Sequence, residues 1–101
     1  MIQKIDPAQA ARLLDAGKAL AVDVREPDEY AEGHLPGAQL LPLGQVGRKA
    51  AQMLPDKEGT LIVYCRTGRR SAEAAAKLEA LGYRNLYDMG GILSWPYELE
   101  G

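Results

Sequence analysis

The chain has 101 residues, room for a single domain over residues 1–101, since domains run to about 100–150 residues. Its 12 Lys and Arg against 14 Asp and Glu give a net charge of -2, which argues against a nucleic-acid partner, whose phosphates call for an excess of base. One Cys and one His exclude a disulfide framework and most metal sites, and no apolar run nears the ~20 residues that span a bilayer.

The first charged residues follow Met1 with no apolar leader, so no signal peptide, no membrane partner and a reducing cytoplasm are expected. Asp6-Pro7-Ala8-Gln9 reads as a helix start, with Asp6 as N-cap, Pro7 at the first helical position and Gln9 able to reach back. Ala10, Leu13 and Leu14 give that helix an apolar stripe, and Gly17 suits its exit. Ala19-Leu20-Ala21-Val22, running into Asp23-Val24-Arg25, has the character of a strand buried on both faces. Pro27 to Glu32 predicts a short helix ended by Gly33, His34-Leu35-Pro36-Gly37 a turn, and Ala38 to Leu41 a brief strand. Val46, Ala50, Met53 and Leu54 mark a further helix, stopped by Pro55. Leu61-Ile62-Val63-Tyr64 is an apolar strand closed by Cys65. After the loop Arg66-Thr67-Gly68-Arg69, a helix is expected from about Arg70 to Leu81, burying Ala74, Ala75, Leu78 and Leu81, with Gly82 as its cap. Leu86 to Met89 is the last candidate strand. Gly90-Gly91 then turns the chain into a short helix carrying Ile92, Leu93 and Trp95 as far as Pro96.

Strands alternating with helices predict an α/β fold with a parallel sheet covered by helices. Such sheets bind ligands beyond the carboxyl ends of their strands. Three polar or Gly-rich clusters stand at such ends: Asp23–Arg25, Cys65–Arg70 and Gly90-Gly91. Topology should gather them on one edge.

Cys65-Arg66-Thr67-Gly68-Arg69-Arg70-Ser71 joins a buried strand to a helix. A loop of this kind can aim several backbone N–H groups at one centre, and the helix start adds unpaired N–H groups and a positive dipole end. With three arginines beside it, Cys65 is expected to have a lowered pKa and to favour the thiolate. The same loop would attract a small oxyanion, which Arg binds in a bidentate fashion. Gly68 suits a positive φ or a close backbone approach. The plainer reading is a core cysteine beside a solvated basic helix start. Against it, Arg69 and Arg70 sit where the helix dipole disfavours cations, and local rules break most often at functional sites. The enzymatic reading also requires a sulfur that is not sealed off from solvent. His34 reads as a turn residue, since one His without a nearby carboxylate is weak support for a base. Asp23, Arg25 and Glu29 read as a loop-bracing set, with tuning of the site by Asp23 as the alternative. Tyr30 and Trp95 read as core, Trp95 also being able to wall the pocket.

Val22-Asp23-Val24-Arg25, Glu29-Tyr30 and Gly33-His34-Leu35-Pro36-Gly37-Ala38 resemble the N-terminal signature of the single-domain rhodaneses, a sulfurtransferase family. Cys65 through Ser71 resembles that family's active-site loop, and Asp88-Met89-Gly90-Gly91-Ile92 with Trp95 its C-terminal signature. The likeness spans nearly the whole chain, in the family's order. It implies a rhodanese-like α/β domain whose five-stranded parallel sheet is flanked by helices on both faces. It also implies a thiosulfate sulfurtransferase that needs no cofactor. Cys65 would take the outer sulfur of a small inorganic sulfur anion as a persulfide, and cyanide or a thiol acceptor would remove it, in ping-pong fashion. The loop N–H groups from Arg66 to Arg70 would hold the persulfide sulfur, and one of Arg66, Arg69 and Arg70 the donor's sulfonate. Thr67, Gly68 and Ser71 complete that loop. An alternative is a carrier or regulatory module loaded by a protein persulfide donor, given the absence of a lid domain and an open pocket. A small-anion Cys phosphatase is disfavoured, because Ser71 stands where a C-x5-R pattern places its arginine and Tyr64 where the usual His would be. The oligomeric state is left open.

Overall fold

The computed structural model places β1 (Ile2–Lys4), α1 (Pro7–Asp15), β2 (Leu20–Asp23), α2 (Pro27–Glu32) and β3 (Gln39–Leu40) in the first half of the chain. After them come α3 (Val46–Met53), β4 (Thr60–Cys65), α4 (Arg69–Ala80) and β5 (Asn85–Gly91). Short 3-10 turns at Leu43–Gln45 and Ile92–Ser94 lead into α3 and out of β5. All strand pairs are parallel, in the order β1-β5-β4-β2-β3, so β4 is central with β5 and β2 as its neighbours.

Local chemistry sets the elements in place. Gln9 N–H donates to Asp6 Oδ1 at 2.8 Å and Asp6 N–H to Gln9 Oε1 at 3.1 Å, a reciprocal cap with Pro7 just inside the helix. On β4 the period of two sends alternate side chains to opposite layers. Leu61, Val63 and Cys65 pack with Val46 and Ala50 of α3 and Ala74 and Leu78 of α4. Ile62 and Tyr64 pack on the other face with Ala10 of α1, Leu35 and Met89. Helices therefore cover both faces, as the family resemblance implies, and residues Leu61 to Cys65 are buried throughout.

Two expectations are corrected, and one element is new. β1 has no counterpart in the sequence reading: it is three residues long, only Ile2 is partly covered, and pairing with Leu86, Tyr87 and Asp88 of β5 makes it a strand. Leu81 is 37% exposed because α4 ends at Ala80; Tyr83 closes that layer instead, its hydroxyl bonded to the Ala50 and Leu54 carbonyls. Gly90-Gly91 does not turn the chain but extends β5. Val63 pairs with Asp88 and Tyr64 with Gly90, leaving Met89 as a bulge that the +85° φ of Gly90 absorbs.

Candidate active site

The strand register brings the three clusters together. Asp23 lies beside Tyr64, Tyr64 beside Gly90, and Cys65 beside Gly91, all at the carboxyl edge of the sheet. The gathering expected from topology is present.

Cys65 ends β4 in the layer of α3 and α4 and is a free thiol. Gly68 takes a φ of +114°, which only glycine adopts without strain, and its N–H donates to Cys65 Sγ at 3.0 Å. The loop thereby folds back over the sulfur, and Cys65 is 1% exposed, so the solvent-open sulfur expected for the enzymatic reading is not present with the loop in this position. An open pocket above the thiol, as pictured for the carrier reading, is not what the loop provides. The end of β5 presses on the loop from the other side. A Cβ on Gly91 would run into the Arg66 carbonyl and lie 2.9 Å from Thr67 Cα, and Leu93 N–H donates to the Arg66 carbonyl at 3.4 Å. Trp95 does not wall this site. It packs in the α1 layer and lines a groove of about 600 Å³ with Ala8, Ala11 and Pro36.

The three arginines divide. Arg66 and Arg69 are exposed, and neither meets a carboxylate. Arg70 is half-buried and clamps Glu29 with two bonds of 2.7 and 2.9 Å. The Arg70 guanidinium holds the Glu29 carboxyl down to about 2 against the opposing effect of burial. In turn Glu29 raises the Arg70 pKa, and the guanidinium also feels the Cys65 sulfur. Glu29 is thus the partner of Arg70, not a member of the Asp23–Arg25 set.

Asp23 and Arg25 do form the expected brace. Arg25 Nε donates to Asp23 Oδ1 at 3.0 Å and Nη2 to Oδ2 at 2.7 Å, while Nη2 also reaches the Gly33 carbonyl at 2.7 Å. Burial opposes the Arg25 charge most, but the bond to Asp23 and the charges of Asp23, Tyr64 and Glu29 together outweigh it, so its pKa rises. Tyr64 hydroxyl donates to Asp23 Oδ2 at 2.8 Å and accepts from Leu35 N–H at 3.1 Å. Burial, then the Asp23 charge, push the Tyr64 pKa up. Asp23 therefore serves Tyr64 in the α1 layer, across the sheet from the Cys65 side chain. His34 is likewise structural in its contacts. Nδ1 donates to the Tyr30 carbonyl at 2.8 Å and the ring stacks on Tyr30 at 3.6 Å.

Thr67 is exposed on the loop, whereas Ser71 lies in the first turn of α4, wholly buried. Ser71 Oγ donates to Asp88 Oδ1 at 2.7 Å and lies 3.0 Å from the Gly68 carbonyl. Ser71 thus ties the loop to β5 from within. Asp88 had no assigned role in the sequence reading. The signal for it was an acidic residue inside an apolar strand, where a carboxylate persists only with partners.

The chain matches the Rhodanese-like domain family over residues 6–97. It is 39% identical over 71 residues to the thiosulfate sulfurtransferase PspE of Escherichia coli, covering 70% of this chain and 68% of that protein. It is 37% identical over 100 residues to the probable adenylyltransferase/sulfurtransferase MoeZ of Mycobacterium tuberculosis, covering 95% of this chain but only 25% of that much longer protein. The solved structure of the human single-domain sulfurtransferase TSTD1 superposes with a TM-score of 0.82 at 27% identity, covering 91% of this chain and 93% of that one. The order of strands, the Cys65 loop at the sheet edge and these likenesses agree, and the chain belongs to the rhodanese-like domain family.

Proposed function

We propose that this chain is a sulfurtransferase in which Cys65 carries the sulfur as a persulfide. The observation that carries the reading is the Cys65 sulfur at the carboxyl end of the central strand, receiving the Gly68 N–H at 3.0 Å beneath a loop with two unpaired arginines. As thiolate, Cys65 attacks the outer sulfur of thiosulfate. The new S–S bond forms as the old one breaks, and sulfite leaves with the bonding pair. The terminal sulfur of the persulfide keeps one negative charge, which the loop N–H groups stabilise. Cyanide then attacks that sulfur, leaves as thiocyanate and returns the thiolate. A low-molecular-weight thiol serves in the same way. Arg66 and Arg69 receive the sulfonate end of the donor. Because Cys65 is 1% exposed beneath this loop, movement of the loop is part of the reaction. The chain works in a reducing compartment such as the cytoplasm, where a lone thiol stays free.

Intact mass after thiosulfate treatment tests the reading. One added sulfur on the wild-type protein, absent from Cys65→Ser, is expected, with thiocyanate released on adding cyanide. No added sulfur together with no thiocyanate refutes it.

A second reading is a carrier loaded by a protein persulfide whose docking parts the loop over the buried Cys65. Slow loading by thiosulfate beside rapid loading by a cysteine desulfurase would select it.

A further inference from the structure

Asp88 is 2% exposed and unused by the chemistry above. Its Oδ1 collects two donors, Ser71 Oγ at 2.7 Å and Gly90 N–H at 2.9 Å. Its Oδ2 accepts from Lys4 Nζ at 3.1 Å, the cross-strand neighbour on β1. The bonds to Ser71 and Gly90 lead toward Cys65 by two different routes. The single proton of Ser71 Oγ is shared between Asp88 and the Gly68 carbonyl, which fixes one side of the Gly68 residue. The bond to Gly90 N–H sets the bulge, and Gly90 Cα lies 3.6 Å from where a Gly68 Cβ would stand, which supports the other side. The Gly68 N–H held between these two contacts is the one that meets Cys65 Sγ.

We infer that Asp88 is a positioning residue for sulfur transfer: through Ser71 and Gly90 it holds the Gly68 peptide so that its N–H faces the Cys65 sulfur. The inference rests on Cys65 being the sulfur-accepting nucleophile. The mechanism asks for geometry, not charge. An amide oxygen at the Oδ1 position would serve as well as the carboxylate, while a residue with no acceptor would not. Loss of a preorganised donor costs catalysis more than ground-state binding.

The test is single-turnover loading of sulfur from thiosulfate by wild type, Ser71→Ala, Asp88→Ala and Asp88→Asn, each confirmed folded by circular dichroism. Ser71→Ala and Asp88→Ala are expected to load about tenfold more slowly at saturating thiosulfate, with the half-saturating concentration unchanged. Asp88→Asn keeps the acceptor for Ser71 and Gly90 and is expected to load within about twofold of wild type, although its pair with Lys4 is lost. Should Asp88→Ala not fold, Ser71→Ala and Asp88→Asn carry the comparison. Wild-type rates in a folded Ser71→Ala, or an Asp88→Asn as slow as Ser71→Ala, would overturn the inference. Failure of the wild-type protein to load at all is a separate result, and it removes the Cys65 reading together with the inference built on it.

Discussion

Glu29 and Arg70 stand 41 residues apart in the chain and meet through two bonds of 2.7 and 2.9 Å at the edge of the sheet. The pair ties the start of α4 to α2 and occupies one of the three arginines beside Cys65. Its strength depends on pH in a definite direction. Glu29 titrates at about 2 when folded against an ordinary 4.5, so the stabilisation is complete above the ordinary value and is lost as pH falls toward 2. Partial exposure discounts the full shift, leaving about 1–2 kcal/mol at pH 7. Urea unfolding of wild type and Glu29→Gln should show that gap at neutral pH, shrinking below pH 4.5 and closing near pH 2.

Arg66 and Arg69 keep their guanidinium groups free of carboxylates and are therefore the donor-binding candidates. Replacing either by Ala is expected to raise the half-saturating thiosulfate concentration about three- to tenfold, with a much smaller change in the saturating loading rate. Added salt should reduce the difference, because both side chains are solvated. Equal loading curves for wild type and both variants would return the donor-binding role to Arg70.

Gly91 is held by contact rather than by conformation, since its φ of -101° suits any residue. A methyl group there meets the Arg66 carbonyl and Thr67 Cα, both backbone atoms that only a shift of the loop can clear. Gly91→Ala is expected to cost about 1–3 kcal/mol in urea unfolding and to slow sulfur loading of the remaining folded protein. A variant with full loading and full stability would show that the loop is free to move aside.

His34 spends one ring nitrogen on the Tyr30 carbonyl, and its other nitrogen lies 3.8 Å from the Glu100 carboxylate. Sulfur transfer from a preformed thiolate needs no base. His34→Ala is expected to lower stability by about 1–2 kcal/mol through the lost bond and ring stack, while the loading rate per folded molecule stays at the wild-type value. A loading rate that fell with folding intact would give His34 a part in the chemistry.

The order of the elements after β1, the caps of α1 and the gathering of Asp23, Cys65 and Gly91 on one edge were legible in the chain's own residues. These follow from local signals such as Asp6 with Gln9 and from the rule that parallel strands present their carboxyl ends together. Only the tertiary structure decided which charges pair. Glu29 is four residues from Arg25 and far along the chain from Arg70, yet Arg70 takes it, because Arg25 is already bound to Asp23 and Gly33. It alone decided that β1 exists, since a three-residue edge strand has no pattern of its own and is defined by its partner. The burial of Ser71 and Asp88 was hidden for the same reason. Ser71 becomes an anchor only when helix α4 lies on β5, and the carboxylate it meets belongs to a strand 17 residues away. The closing of the loop over Cys65 likewise depends on the end of β5 beneath it, a contact between segments that no local spacing encodes.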